Sequence, residues 1–378
     1  MTKIYNKITI KNPYVAVVGG GTGGHIFPAQ SLCEILTRQN HNVLYITDKR
    51  GQAFHEKPKN THMFILDLPR YRPGIMGKIA IATRTLIEIT YVTWKFMLSR
   101  PSLVIGFGGY PSFPPLFAAL ILGIPYMLHE QNAYAGRVTR WLAPWAQSIT
   151  TIFRFTKGLR EKDRKKIVQT GNPIRDTIKQ VWKKSPYKPP HKTIHLFAVG
   201  GSQGARIFST TLTKAIIKLP KELQKRLQIT QQCRPEHIKK AQECYKKAGL
   251  KVNLAPFFKD MAAEYKKAHL VISRAGASTV TELTAVGRPA LLIPLPTAMD
   301  DHQMHNALTL SEKKASWYMR QSDVTPESLA KKIEEILKSP KDLEKTAENL
   351  HNLKMEDADK ALTEAVEAVL NKTHRVKK

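Results

Sequence analysis

The sequence predicts an α/β protein built from two similar domains of parallel sheet and helix. A β-branched run, Tyr14–Val18, leads into a glycine-rich turn at residues 19–24, and a helical pattern follows. The same order of strand, glycine turn and helix returns where Ile194–Val199 leads into residues 200–204. With 378 residues the chain is also too long for one ordinary core. A βα plan met twice in such a chain predicts two doubly wound domains.

Further apolar, strand-like runs alternate with helical patterns in each half. They cover residues 43–47, 103–107, 125–129 and 148–152, then 227–231, 252–254, 270–273 and 290–293. This alternation is typical of parallel sheets whose crossovers are helices. We expect a linker at residues 182–192, where prolines and lysines are concentrated, and helices from Thr325 onwards.

The charge balance is strongly basic, with 60 Lys and Arg against 30 Asp and Glu and a formal net charge of +30. The excess is divided evenly between residues 1–176 and 177–378, so it is not a basic tail. Such a field attracts anionic lipid, nucleic acid or a phosphorylated substrate, and a basic proteome is the alternative reason for it. Charge alone does not identify the partner.

The cysteines and the apolar runs indicate the compartment. Cys33, Cys233 and Cys244 are far apart and form no C-x-x-C pair, which argues against a disulfide framework or a zinc site. No apolar segment follows the basic first eleven residues, and no uncharged apolar run reaches 18 residues. We therefore expect no signal peptide and no membrane span, and a protein in the cytosol or on a cytosolic surface.

Glycine turns between a strand and a helix let backbone N–H groups and the positive helix end face an anion. In the second turn, the hydroxyl of Ser202 is also suited to a phosphate oxygen, although glycines also serve tight geometry alone. Neither turn is a Walker loop, because no Gly-Lys-Ser/Thr follows. A nicotinamide dinucleotide site remains a weaker alternative, with Asp48 as its candidate ribose-binding acid.

Residues 273–282 form a third strand-to-helix junction, where an apolar strand ends and small residues lead into a helix. Open α/β sheets bind ligands at this carboxyl edge. Glu282 lies about one turn inside the helix, suited to accept hydrogen bonds from two ribose hydroxyls. The alternatives are a first-turn acid that complements the helix dipole or a capping partner of Thr279.

Seven motifs run in order through both halves of the chain. They are GGGTGGHIFPA (19–29), GFGGYPS (106–112), HEQNAYAG (129–136), TGNPIR (170–175), GGSQGAR (200–206), residues 273–282 and DDHQMHNA (300–307). Together they resemble the MurG family, which adds N-acetylglucosamine (GlcNAc) to the undecaprenyl-linked muramyl-peptide precursor of peptidoglycan. The resemblance implies a GT-B fold, with two Rossmann-like, doubly wound domains facing a cleft.

The resemblance also implies roles for single residues in binding UDP-GlcNAc. Ser202 meets the donor phosphate, Glu282 the ribose hydroxyls, and Gln303, beside His302, the sugar hydroxyls. The turn near Phe258 recognises uracil. The implied substrate-binding positions are Thr22, Gly23, Gly24, Asn132, Arg175, Ser202, Phe258, Ala277, Ser278, Thr279, Val280, Thr281, Glu282 and Gln303.

The implied reaction is a direct displacement that inverts the sugar carbon. The C4 hydroxyl of the acceptor attacks C1 of the donor sugar while UDP leaves, and helix N-termini with Arg175 stabilise the diphosphate. None of the seven motifs contains a D-x-D, the one such triplet being Asp357-Ala358-Asp359 in the C-terminal tail, and we expect neither a metal nor a cofactor. His25 is the expected catalytic base, with a structural role in the turn as its alternative. Glu130 is the other plausible proton acceptor.

The family resemblance assigns residues 1–180 to an acceptor-binding, membrane-facing domain and residues 181–350 to a UDP-sugar-binding domain. Residues 351–378 form a helical tail that packs back towards the N-terminal domain. The expected partners are UDP-GlcNAc, the undecaprenyl-linked acceptor and an anionic membrane surface, without nucleic acid. The expected location is peripheral, on the cytoplasmic face of the inner membrane.

The expected docking segment is residues 71–100, which carries apolar and aromatic residues edged by basic ones. The alternative is an amphipathic helix whose apolar face lies in the domain core.

Two rival functions are also compatible with the sequence. One is a different GT-B enzyme, such as a UDP-sugar 2-epimerase or a transferase with another lipid acceptor. The other is a basic RNA-binding protein, against which the chain shows no glycine-aromatic RNA motif and no zinc-finger spacing.

Overall fold

A computed structural model describes residue 10 and residues 13–54, 58–69, 74–201, 204–354 and 357–376. The chain divides into two compact units, unit 1 (Met1–Pro173 with Met355–Lys378) and unit 2 (Ile174–Lys354). Ser202, predicted to meet the donor phosphate, and residues 71–73 of the predicted docking segment lie outside the described residues.

Unit 1 alternates strands and helices along the chain. Its elements are β1 (Tyr14–Val18), α1 (Gly23–Arg38), β2 (Asn42–Asp48), α2 (Lys49–Phe54), β3 (His62–Leu66), α3 (Ile75–Leu98), β4 (Leu103–Gly106), α4 (Phe113–Ile121), β5 (Tyr126–Glu130), α5 (Arg137–Leu142), β6 (Ser148–Thr151), α6 (Glu161–Arg164) and β7 (Ile167–Gln169).

Unit 2 repeats the alternation, and the final helix returns to unit 1. The elements are α7 (Asp176–Lys184), β8 (Ile194–Val199), α8 (Thr213–Ile217), α9 (Lys221–Arg226), β9 (Leu227–Gln232), α10 (Pro235–Lys247), β10 (Val252–Ala255), α11 (Met261–Lys267), β11 (Leu270–Ser273), α12 (Ala277–Val286), β12 (Ala290–Leu292), α13 (His302–Glu312), β13 (Trp317–Tyr318), α14 (Pro326–Leu337), α15 (Pro340–His351) and, in unit 1, α16 (Ala358–Val376). A π-helical turn, Phe208–Leu212, precedes α8.

Each unit holds one sheet with parallel pairing throughout. The strand order is β3-β2-β1-β4-β5-β6-β7 in unit 1 and β10-β9-β8-β11-β12-β13 in unit 2. The order therefore reverses between β1 and β4, and again between β8 and β11. In open α/β sheets such a switch point leaves a crevice at the carboxyl ends of the strands, where ligands bind.

The predicted strands are confirmed, since every apolar run noted in the sequence contributes to one of the two sheets. Burial explains why these runs were recognisable, because all five residues of β1 and of β5 are buried. Three strands were not predicted: β3, β7 and β13. Strands β7 and β13 have only three and two residues and are too short to stand out as apolar runs, whereas residues 63–66 of β3 are a continuous apolar run that was not assigned to a strand.

The division between the units lies at Pro173–Ile174, before the residues expected to form the linker. Helix α7 follows this point and belongs to unit 2, with Ile178 and Val181 buried. The ring of Trp182 stacks on His351 at 3.8 Å between centroids. Packing of α7 against unit 2 thus moves the boundary towards the N-terminus, because the proline-rich stretch is only the loop from α7 to β8.

The C-terminal helix α16 contributes to the hydrophobic core of unit 1. Leu362, Val366 and Leu370 are buried in one cluster with Val15 and Val17 of β1. At the surface of the same contact, His41 Nε2 lies 2.6 Å from Glu367 Oε1. Within the described residues, no helix combines the length and the apolar character needed to cross a bilayer.

Candidate active site

The glycine turn of unit 1 connects β1 to α1 at the switch point of the sheet. A Cβ atom at Gly19 would lie 2.5 Å from the Cβ of Ala29, so the strand and the helix can approach this closely only with glycine there. Gly21 has a φ of 84°, a value that favours glycine. Thr22 is exposed and caps α1, whose first turn contains no acidic residue. The positive end of the helix is therefore not neutralised by a side chain of its own.

Asp48, the acid of the nicotinamide alternative, braces this turn. The N–H groups of Gly21 and Gly51 donate to its Oδ1 at 3.1 and 3.0 Å, and Arg50 Nε donates to Oδ2 at 2.6 Å. Only 1% of Asp48 is exposed. Both carboxylate oxygens are bonded within the protein and the side chain is closed to solvent, unlike that of Glu282, which is 18% exposed, so the ribose-binding role considered for Asp48 is wrong.

His25 lies in the first turn of α1, and its ring reaches across the end of the neighbouring strand β4. Its Nδ1 lies 3.0 Å from Oε1 of Gln131, the residue that follows β5. Between them pass Gly108 and Gly109, where added Cβ atoms would lie within 3.0–3.5 Å of the imidazole. The two glycines therefore leave space for the ring. His25, which follows β1, thus lies over the segment after β4 and contacts the segment after β5.

The segment after β5 is shaped by Glu130. Its Oε1 accepts hydrogen bonds from the backbone and side-chain nitrogens of Asn132 at 3.0 and 3.2 Å, and its Oε2 accepts from Gly136 N–H at 2.9 Å. Glu130 is buried, so this carboxylate organises the loop. The expectation that Glu130 could accept the acceptor's proton is not supported, because its oxygens are bonded within the loop and only 4% of the residue is exposed.

A second buried histidine lies beside these residues. His129 hydrogen-bonds Thr150 Oγ1 at 2.9 Å and, through Nε2, Asn172 Oδ1 at 3.2 Å. Burial lowers the pKa of His129 to about 4, the hydrogen bond to Asn172 opposes this, and charge on His25 lowers it further. His129 is therefore neutral at physiological pH.

In unit 2 the equivalent glycine turn is held by a side-chain amide. Gln232 Oε1 accepts from Gly200 N–H at 2.8 Å, and its Nε2 donates to the carbonyls of Gly201 and Pro256, both at 3.0 Å. A Cβ at Gly200 would meet the nitrogen of Ala205 at 2.3 Å. Through Pro256 the same amide also fixes the segment that leads to Phe258, whose ring packs edge-on against Phe197.

Glu282 of α12 is the best-defined polar group of unit 2. Tyr265 OH donates to its Oε2 at 3.0 Å, and Arg175 Nη2 lies 3.4 Å from its Oε1. Burial raises the pKa of Glu282, while Arg175 and Tyr265 oppose the rise. The buried hydroxyl of Tyr265 thus holds the carboxylate, so the capping role considered with Thr279 is not the arrangement found.

The other residues that were predicted to bind the sugar donor lie near the start of α12. Gly276 caps this helix, whose first turn contains no acidic residue, and the buried Oγ of Ser278 has no hydrogen-bond partner among the described residues. Gln303 Oε1 accepts from Leu295 N–H at 3.0 Å, and its Nε2 lies 4.0 Å from where a Cβ of Gly276 would be. Helix α13 follows Asp300 and Asp301, both with positive φ, a strained geometry that clusters at functional sites.

Sequence reasoning missed three residues of these sites: Gln131, Gln232 and Tyr265. Gln131 stands inside the motif HEQNAYAG directly after a strand, which is a signal for a site residue. Gln232 likewise ends β9. Tyr265 offers no such signal, since it lies on α11, 17 residues before the carboxylate that it holds.

The comparisons with known proteins agree with this architecture. The glycosyltransferase family 28 N-terminal domain profile matches residues 15–151, and the C-terminal domain profile of that family matches residues 195–362. The crystal structure of Acinetobacter baumannii MurG superposes with a TM-score of 0.75 and 29% identity, over 94% of this chain and 100% of that chain. Fold and site therefore define a two-domain GT-B glycosyltransferase.

A relative from Rhodospirillum centenum is 39% identical over 358 residues, which cover 93% of each chain. It is named UDP-N-acetylglucosamine–N-acetylmuramyl-(pentapeptide) pyrophosphoryl-undecaprenol N-acetylglucosamine transferase. The chain belongs to this family, the MurG family, and is a hexosyltransferase. A putative UDP-N-acetylglucosamine 2-epimerase from Listeria monocytogenes has a TM-score of 0.68 but only 13% identity over 95% of this chain and 97% of that chain, so it shares the fold alone.

Proposed function

We propose that the protein transfers GlcNAc from UDP-GlcNAc to the C4 hydroxyl of an undecaprenyl-pyrophosphoryl N-acetylmuramyl-peptide, with inversion at C1. The observation that carries the proposal is the Glu282 carboxylate, held by Tyr265 at 3.0 Å inside α12 in a chain 39% identical to a relative with that name. A carboxylate held in this way is suited to accept hydrogen bonds from two vicinal ribose hydroxyls.

The donor site in this proposal lies on unit 2. Residues 277–281 form the start of α12, whose N–H groups and helix dipole suit the negative charge that grows on the leaving UDP. Ser202 meets the phosphate, Gln303 the sugar and the backbone near Phe258 the uracil. Arg175 lies beside Glu282 and supplies a further positive charge.

On unit 1 the proposal assigns His25 as the general base. Thr22, Gly23 and Gly24 present the N-terminus of α1, Asn132 lies in the loop that Glu130 organises, and the proposal assigns these four residues to the binding of UDP-GlcNAc. The polar contacts of this turn support a fixed imidazole, which suits proton transfer at one defined atom.

The test is an assay with radiolabelled UDP-GlcNAc and a lipid-linked muramyl-peptide acceptor. We expect label in the lipid product, dependence on both substrates, and no effect of added RNA. Conversion of UDP-GlcNAc to an epimer without acceptor would indicate the epimerase instead. Absence of transfer to the muramyl lipid, with transfer to another lipid-linked sugar, would reject the proposed acceptor.

We further propose that helix α3 docks the protein on an anionic membrane surface, at the cytoplasmic face of the inner membrane. Its buried residues are Thr85, Glu88, Val92, Lys95 and Phe96, so one face packs on the core. The opposite face exposes large apolar side chains, among them Ile75 at 77% and Met76 at 80%. This observation favours docking over the alternative of an apolar face turned into the core.

Vesicle binding tests this part of the proposal. Replacing Ile75, Met76 and Ile79 with Ser should abolish the salt-resistant part of binding to vesicles of anionic lipid, because apolar burial is not screened by salt. These side chains are exposed, so the thermal unfolding midpoint should not change. Val168→Ser, at an exposed apolar residue of β7, is the matched control and should bind like the parent. Unchanged binding of the triple variant would place docking elsewhere.

A further inference from the structure

The contact between His25 and Gln131 determines which nitrogen of the imidazole carries the proton. The amide Oε1 can only accept a hydrogen bond, and it lies 3.0 Å from Nδ1. With Oε1 of the amide facing the ring, the hydrogen of the neutral imidazole belongs on Nδ1 and the lone pair on Nε2, an assignment that the NMR measurement below tests directly. Nε2 is 3.4 Å from where a Cβ of Gly109 would stand, over the glycine turn that follows β4.

The position of Gln131 is itself fixed by its neighbours. It follows β5, and the Glu130 carboxylate holds the next part of the loop through Asn132 and Gly136. Strands β1, β4 and β5 are adjacent in the sheet, so the ring on α1 spans the end of β4 to reach the amide after β5. Glu130 therefore organises the loop that presents Gln131 to His25.

The other end of the Gln131 amide shows that stability alone does not require this residue. Only 1% of Gln131 is exposed, and its Nε2 is buried with no hydrogen-bond partner among the described residues. An unpaired buried donor destabilises the folded protein, and an apolar side chain of similar size would avoid this cost. Packing therefore does not explain a glutamine at this position, whereas its contact with His25 does.

We propose that Gln131 is a positioning residue that holds His25 as the Nδ1–H tautomer, so that Nε2 takes the proton of the acceptor. This inference rests on the proposed function. As the acceptor's C4 oxygen forms its bond to C1 of GlcNAc, its proton moves to Nε2, and the bond from C1 to the phosphate oxygen breaks with its electron pair leaving on UDP. The imidazolium that forms keeps its Nδ1–H on Gln131 Oε1.

The other titratable groups near this imidazole are engaged or shifted away from neutral pH. His129 in β5 has its pKa lowered to about 4 by burial. Asp48 at the end of β2 and Arg50 in α2 are paired with each other at 2.6 Å. The pKa of Tyr110, after β4, is raised by burial. The acid limb of the rate profile should therefore report protonation of His25.

The test compares two substitutions of Gln131 in the full-length protein. For Gln131→Leu we expect kcat to fall by about 10²-fold with little change in either KM, since the wrong tautomer becomes accessible. The thermal unfolding midpoint should stay or rise. For Gln131→Glu we expect much of the activity to return, with the acid limb of kcat displaced upward by about one pH unit, because a carboxylate favours the imidazolium.

Two further measurements make the role specific. Nitrogen-15 NMR of the histidine rings should find the proton of neutral His25 on Nδ1 in the parent. In Gln131→Leu it should find an exchanging mixture of the Nδ1–H and Nε2–H tautomers. In a His25→Ala background, Gln131→Leu should cause no further loss of kcat. Asn172→Leu, which removes the amide from His129, is the matched control and should leave the acid limb at its original pH.

The inference and the proposed function fail in different ways. A parent protein that does not transfer GlcNAc to the muramyl lipid rejects the function, while the NMR spectrum still decides the tautomer. A parent His25 protonated on Nε2, or a Gln131→Leu variant with the parental kcat and pH profile, overturns the role of Gln131. A Gln131→Leu variant whose kcat loss persists in the His25→Ala background would also overturn it.

Discussion

The two glycine turns occupy equivalent places in the two sheets but carry different chemistry. Aligned on the ends of β1 and β8, His25 stands six residues after Gly19, as Arg206 stands six residues after Gly200. The turn of unit 1 is fixed by the carboxylate of Asp48 and presents an imidazole. The turn of unit 2 is fixed by the amide of Gln232 and is followed by an exposed, permanently charged arginine. In the proposed function, the same scaffold therefore serves proton transfer in unit 1 and binding of the donor diphosphate in unit 2.

The largest expected effect is on kcat, and its pH dependence should distinguish the two turns. His25→Ala should lower kcat by about 10²–10⁴-fold, the range for a lost general base, with donor affinity unchanged. Arg206→Ala should leave the pH profile of kcat unchanged, because a guanidinium does not titrate in this range. Steady-state kinetics across pH measure both. A His25→Ala variant with near-parental kcat would reduce His25 to a residue that shapes the turn.

The next effect concerns donor binding in unit 2. Glu282→Ala should raise the Kd for UDP by about 100-fold, because two charge-assisted hydrogen bonds to ribose are lost. Calorimetric titration measures this, with circular dichroism as the control for folding. Parental affinity in a folded variant would show that Glu282 does not contact the ribose.

A smaller effect compares two histidines, His129 of unit 1 and His269 of unit 2, whose pKa values are both lowered by burial. The folded pKa of His129, about 4, lies below the unfolded value near 6.5, so its contribution to stability is complete above pH 6.5 and is lost as the pH falls towards 4. Lowering the pH from 7 to 5 should therefore reduce the free energy of unfolding by about 2 kcal/mol through protonation linked to this histidine. Urea unfolding should show a correspondingly weaker pH dependence in His129→Gln.

His269 of unit 2 is the comparison for that measurement. Burial also lowers its pKa to about 4, and its Nδ1 accepts from the N–H of His195 at 2.9 Å. It is only partly buried, so solvent should reduce its contribution. We expect His269→Gln to change the pH dependence less than His129→Gln does, and the opposite order would contradict the assignment.

The smallest expected effect is that of a single hydroxyl. Tyr265→Phe should weaken UDP binding about fivefold, since one hydrogen bond that orients Glu282 is lost. Tyr245→Phe is the matched control. The hydroxyl of Tyr245 also makes one hydrogen bond within unit 2, which it donates to Gln231 of β9 at 2.6 Å. We expect Tyr245→Phe to reduce stability without reducing UDP affinity. Equal loss of affinity in the two variants would mean that Tyr265 acts through general stability.

The parts of the fold that were predictable are those encoded by local pattern. Continuous apolar runs identified the central strands, and the glycines after β1 and β8 identified the turns, because tight strand-to-helix packing excludes a Cβ there. Strands β7 and β13 were missed because they have only three and two residues, whereas β3 was missed although its residues 63–66 are apolar. The boundary between the units was displaced because packing of α7, and not the proline-rich composition, decides to which unit that helix belongs.

The candidate site divides in the same way. His25 and Glu282 were recognisable, because each lies near the start of a helix that follows a strand and a turn of small residues. Asp48 fitted the pattern of a ribose-binding acid, yet its oxygens are occupied by Gly21, Gly51 and Arg50. Hydrogen-bond saturation of a carboxylate depends on neighbours that a linear motif does not contain.

By itself the sequence determined two doubly wound domains, the glycine turns and the family, since all three are properties of residue type and spacing. Only the tertiary structure decided that Gln131 meets His25 and that Tyr265 meets Glu282. These partners are 106 and 17 residues apart, and they meet because strand order and helix packing bring them together. Tertiary structure likewise decided which face of α3 is exposed, because an apolar helix face carries no mark in the sequence of what it will contact.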